Sequence, residues 1–181
     1  MTAITSAEIL LKYSVAAAAG NTTAGTAPTS LGDQISTTAW AGGAANDLFD
    51  DISGAENAAS TVDYRCIFVH NSNATNALQN AVVYLSAEVA LGASITIAVD
   101  NLAASAIGAA VAQAAAIATE ITAPTGVGAF SAPTTAGTGL ALGSIASGSC
   151  RAVWVKRTAA NSAALSADGV TIGVSGDTGS L

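Results

Sequence analysis

YRCIFVHNSNATNALQNAVVYLSAEVALGASITIAVD, residues 64–100, decides how this chain folds. Three runs in it, Tyr64–His70, Ala81–Ala87 and Ser94–Val99, are rich in β-branched and aromatic residues. Each is bounded by Asn, Ser, Thr or Gly, the residues that end strands. The segment between the first two, Asn71 to Ala77, has the composition of a loop. The three runs therefore read as an antiparallel meander.

The first run has an echo near the C-terminus. CRAVWVKRTAANSA (Cys150 to Ala163) aligns without a gap on YRCIFVHNSNATNA (Tyr64 to Ala77). Side chains alternate across a strand. Tyr64, Cys66 and Phe68 thus share one face of the first run, and Cys150, Ala152 and Trp154 one face of the second. Arg65, Ile67 and Val69, then Arg151, Val153 and Val155, take the opposite faces. Two such strands suit either two sheets or neighbouring positions in one sheet, around a shared core.

Outward from these runs the signals weaken. Glu8–Val15 reads as a strand or a short helical turn, and Gln34–Trp40 as one strand in a stretch of Ala, Gly, Thr and Ser. Residues 1–45 are accordingly expected to form an extended arm and loops, ordered by lying on a partner. Residues 46–181 are expected to form a single domain. The alanine-rich segment Asn101–Thr122 is the best helical candidate by propensity, with Ile107, Val111, Ala114 and Ile117 at helical spacing. Val127–Ser131 reads as a short edge strand, and Leu140–Ile145, Cys150–Arg157 and Val170–Ser175 as further strands. Many short strands between turns point to a mainly β fold. The expectation is an antiparallel β-sandwich, jelly-roll-like or immunoglobulin-like, with an extended N-terminal arm.

Composition narrows the function. Apolar residues make up 51% of the 181, but aromatics only 4% and charged residues 9%. Soluble domains usually carry about 25% charge. The core is built largely from small side chains, so a homo-oligomer, dimer or trimer, is expected to help stabilise it. The net charge is −7, with five basic residues. That is too few for a phosphate-binding patch, and nucleic acid is not expected as a partner. No apolar run is long enough to span a membrane, and no basic region precedes Ile9–Ala19 as a cleaved leader would require.

Chemistry is sparse. His70 is the one histidine. No nucleophile elbow or phosphate loop occurs, and no catalytic residue is assigned. Five of the twelve acidic residues, Asp47, Asp50, Asp51, Glu56 and Asp63, fall in NDLFDDISGAENAASTVD. Their spacing does not fit an EF-hand, so no metal or other cofactor is expected. The preferred reading is a solvated loop anchored by Leu48, Phe49 and Ile52. Cys66 and Cys150 occupy nearby registers of the two similar runs. A disulfide and a pair of small buried thiols both remain open. Four of the five basic residues, Arg65, Arg151, Lys156 and Arg157, lie on those same runs and are expected to pair with carboxylates.

Three blocks carry a resemblance: SLGDQISTTAW (Ser30 to Trp40), LFDDISGAENAASTVDYRCIFVHN (Leu48 to Asn71) and CRAVWVKRTAANSAAL (Cys150 to Leu165). Together they resemble tailed-bacteriophage virion structural proteins. The resemblance implies a non-enzymatic particle component, first of all a capsid decoration (cement) protein on the virion exterior, made in the host cytoplasm. Its partner would be the major capsid protein. The alternative is a tail or fibre component, including a receptor-binding tip. The expected docking elements are the arm and the acidic loop. Leu31, Ile35, Trp40 and Phe49 would be the apolar anchors, with Asp50 and Asp51 beside them.

Overall fold

The computed structural model describes residues 3–16, 21–89, 92–163 and 168–179. Residues 17–20 of the expected arm and 164–167 of the last polar loop fall outside these ranges. Among the described residues ten strands follow one another: β1 (Ile9–Val15), β2 (Gly32–Ala39), β3 (Val62–Asn71), β4 (Ala77–Glu88), β5 (Ser94–Val99), β6 (Ser105–Ala106), β7 (Ala114–Ala116), β8 (Leu140–Ile145), β9 (Ser149–Thr158) and β10 (Val170–Gly179). One α-helix among the described residues, α1 (Gly54–Ala59), precedes β3. Every strand pairing is antiparallel. The larger sheet runs β5-β9-β3-β1-β2-β7 and curls into a half-barrel, with β6 added to β9. The smaller runs β10-β4-β8. The molecule is a β-sandwich.

The two similar runs are β3 and β9, neighbours at the centre of the larger sheet. Their pairing is antiparallel, so Cys66 faces Trp154 and Phe68 faces Ala152. Both faces of both strands are buried, which is why neither run shows polar alternation. Ile67, Val69, Val153 and Val155 point inward and meet Leu78, Val83, Leu85, Leu142 and Ile145 of the smaller sheet. Cys66, Phe68, Ala152 and Trp154 fill the other face with Ile35 and Ala114.

A third layer covers that second face. Residues 100–131 leave the end of β5, cross the half-barrel, pair with β2 and return to the β5 edge. The crossing is held by Gln113 N–H to Asp33 O (2.7 Å), Ile117 N–H to Leu31 O (3.0 Å) and Gly128 N–H to Val99 O (2.9 Å). We call this segment the strap. Gly32 lets it pack down. Its φ is +95°, and a Cβ there would sit 1.8 Å from Ala115 O and 3.0 Å from Trp154 Cζ2.

Three expectations need correction. The meander does not form. β3 and β4 lie in different sheets, because β1 and β9 already occupy both edges of β3. Residues 71–76 instead cross between sheets around two buried amides. Asn71 Nδ2 donates to Asn76 O (2.9 Å) and Ile145 O (3.0 Å), and Asn73 Oδ1 accepts from Asn76 N–H (2.7 Å). The alanine-rich segment is not a helix but the extended strap with β6 and β7. Val111 is 60% exposed and Ile107 42%, so its helical stripe had no surface to bury against. Backbone pairing with β2 and β9 took over. The N-terminal stretch is no arm either. β1 sits between β3 and β2, so strands from both sides of residue 45 share one sheet.

Candidate docking surface

The acidic loop is bound to its own core by two arginines. Arg157 donates through Nε and Nη2 to Asp63 Oδ2 (3.0 and 2.7 Å), through Nη2 to Asp50 Oδ1 (3.2 Å) and through Nη1 to Asp50 O. Arg65 donates to Leu48 O (3.2 Å), to Tyr64 O (3.3 Å) and to the Glu120 carboxylate. The Phe49 ring lies against both guanidinium groups, 4.8 Å from Arg157 Cζ and 5.7 Å from Arg65 Cζ. Tyr13 Oη donates to Asp47 O, and Leu48 enters the core. Ser53 caps α1 in a reciprocal box with Glu56, whose hydrogen bonds to Ser53 hold its carboxyl below the usual range.

The four anticipated anchors and the two aspartates beside them therefore do not form one patch. Ile35 is 1% exposed and belongs to the core, which leaves it nothing to offer a partner. Leu31 lies half-buried under the strap, its carbonyl bound to Ile117. Trp40 and Phe49 are half-buried against the inner core. Asp50 is exposed but engaged by Arg157, and Asp51 is exposed. Of the four basic residues expected to meet carboxylates, Arg65 and Arg157 do. Arg151 instead donates to the carbonyls of Asp100 (2.8 Å) and Leu102, and Lys156 Nζ sits 5.5 Å from the centre of the Phe130 ring.

The thiols and the histidine sit on the face beneath the strap. Cys66 lies opposite Trp154 and Cys150 opposite His70, four residues apart along the pair. At about 3.3 Å per residue that exceeds disulfide reach, and both are free and buried. Burial pushes Cys150 up to about 12 and Cys66 well above its ordinary value, so neither presents a thiolate at neutral pH. His70 is 5% exposed, with no hydrogen-bond partner for either ring nitrogen among the described residues. Burial, with Lys12 nearby, lowers its pKa. No group of three or more His, Cys, Asp or Glu that could hold a metal occurs among the described residues.

What the surface does offer is the strap. Asp100, 1% exposed, fastens its start and middle to the core. Oδ1 accepts from Leu102 N–H (2.9 Å), and Oδ2 accepts from Ala115 N–H (2.8 Å) and Trp154 Nε1–H (3.0 Å). The backbone is so held that apolar side chains face out: Leu102 (43% exposed), Ile107 (42%), Val111 (60%) and Ile121 (65%). From Asn101 to Cys150 the one charged residue is Glu120, and Arg65 neutralises it. The strap is thus a fixed, apolar and nearly charge-free surface. Helical spacing of Ile107 and Val111 with Ala114 and Ile117 hid it. The long uncharged run was the signal that could have revealed it. No family model, no curated protein and no solved structure matches the chain.

Proposed function

We propose that the chain is a structural component of a bacteriophage particle, a decoration protein that docks on the capsid through the strap and stabilises the shell. The observation that carries this reading is the strap's surface, with Leu102, Ile107, Val111 and Ile121 exposed on a backbone already ordered by Asp100 and β2. An interface made of preordered apolar side chains loses little entropy on docking. It also meets no charge that must be stripped of water. Repetition over a lattice lets modest single contacts add up. The sequence blocks that resemble phage virion proteins point to the same setting, and no residue is assigned a catalytic role.

Quantitative mass spectrometry of purified particles tests this reading. Copy number comparable to the shell protein is expected. A handful of copies would move the protein to the tail or a vertex, and absence from the particle would end the structural reading. Val111→Ser with Ile121→Ser is expected to abolish capsid binding while the chain stays folded.

A further inference from the structure

β10 ends the smaller sheet with one side open along residues 170–175, while at its far end Ile4 N–H donates to Thr178 Oγ1 (2.9 Å). Among the described residues it pairs with β4 alone. In an antiparallel ladder alternate residues turn their N–H and C=O groups away from the partner strand. About half of the backbone groups from Val170 to Gly179 therefore face the open side. Proteins usually protect such an edge with lysine, proline, a short strand or a covering loop. The other outer edges here are protected. β5 is covered by Val127 to Ser131. β7 is three residues long. β8 is six residues long and interrupted by Gly143 at φ +77°. β10 has ten residues, no Lys, Arg or Pro, and one acid, Asp177. That carboxylate turns back to β4, accepting from Asn80 Nδ2 (2.9 Å).

We infer that β10 is the contact between two copies of this chain, joined antiparallel into one six-stranded sheet. The strand is complementary to itself. Thr171, Gly173 and Ser175 share its solvent face, while Ile172 and Val174 pack inward. A two-fold axis near Gly173 sets Thr171 of one copy opposite Ser175 of the other, a pair able to exchange hydrogen bonds. It also carries the two Asp177 residues to opposite ends of the seam, where a parallel arrangement would stack them. Tyr84 completes the fit. Its ring crosses β10 from β4, with Cζ 2.6 Å and Oη 3.0 Å from where a Cβ on Gly173 would lie. The phenol therefore reaches over the strand toward the open side. Two copies bring two such phenols together over the axis. The strap packs on the far face of the larger sheet, outside this seam, so the pairing leaves it uncovered.

Sedimentation of the full chain over a range of concentrations tests the inference. A monomer–dimer equilibrium is expected. A chain that stays monomeric up to its solubility limit overturns it. Thr171→Lys with Ser175→Lys, and separately Thr171→Glu with Ser175→Glu, place like charges across the seam, and each variant is expected to be monomeric. Mixed, the two are expected to form a heterodimer, which loss of folding would not produce. Charge variants that remain dimeric, or that stay monomeric when mixed, overturn the inference. Amide exchange on the unmodified chain gives a second reading. Protection within residues 170–175 should rise with concentration, and protection independent of concentration refutes the seam.

Discussion

The acidic loop and the strap close the same sandwich in opposite ways. The loop carries Asp47, Asp50 and Asp51, and it is drawn inward by Arg65, Arg157 and the Phe49 ring between them. The strap carries two acidic residues, the buried Asp100 that fastens it and Glu120, and it leaves its apolar side chains outside. Arg65 links the two, donating to Leu48 O in the loop and to Glu120 in the strap. In a chain with so few charges, charge is used to secure the interior, and the outer surface is left to apolar groups. An acidic cluster in such a chain marks a fastening before it marks a binding site.

The largest test of that contrast is on the loop side. Asp63→Ala removes the buried acceptor of Arg157 Nε and Nη2, whose side chain is 8% exposed, and leaves only the exposed Asp50 carboxylate beside it. A loss of about 3 kcal/mol is expected in chemical denaturation, the lower end for breaking a buried pair because Asp50 still offsets part of the charge. A loss below about 1 kcal/mol would show that the pair is effectively a surface bridge and break the comparison.

On the strap side, Asp100→Ala leaves Leu102 N–H, Ala115 N–H and Trp154 Nε1–H without their acceptor. Each donor that finds no water costs about 1–3 kcal/mol. Cleavage within residues 101–122 by added protease should appear before global unfolding, together with a change in Trp154 fluorescence. Simultaneous loss of strap and core would mean that the strap is not a separate layer.

His70 belongs to neither region and supplies a baseline. Its folded pKa is lowered from 6.5 by burial, so the unfolded chain binds the proton more readily. Its contribution to stability is complete above about pH 6.5 and is lost as pH falls toward the folded value. His70→Gln should flatten the stability profile below pH 6.5, measured against the unmodified chain. The smallest effect is expected at the strap surface. Val111→Ser and Ile121→Ser should each change stability by no more than about 0.5 kcal/mol, because both side chains are mostly in water already.

Strand positions were legible where β-branched residues cluster, as in β3, β5 and β9. The boundaries of β8 match the expected Leu140–Ile145. Sheet membership was not legible, because a run buried on both faces says nothing about its neighbours. β1 and β2 were legible as strand candidates at Glu8–Val15 and Gln34–Trp40, but their place inside the sheet was hidden by hydroxyl residues that the fold buries and satisfies. Ser14 is fully buried, and its Oγ accepts from Gly32 N–H (2.9 Å). The loop was legible in its anchors Leu48 and Phe49. Its arginine partners were legible as residues but not as contacts, since Asp63 meets Arg157 only once β3 and β9 are paired. The exposed apolar surface of the strap was misread, because alanine favours helix until backbone pairing with a neighbouring strand takes over.

The central position of β3 has a consequence for synthesis. A ribosome delivers β3 with β1 already made, so one of its edges can be paired at once. The other edge needs β9, which emerges only after β4 to β8 have been translated. Until then the nascent chain holds an apolar strand with an open flank and both faces bare, since the strap and β4 also come later. Long-range pairing of this kind is slow, and the waiting intermediate is prone to associate with others like it. Yield during expression should therefore depend on translation rate and temperature more steeply than the stability of the finished fold would indicate.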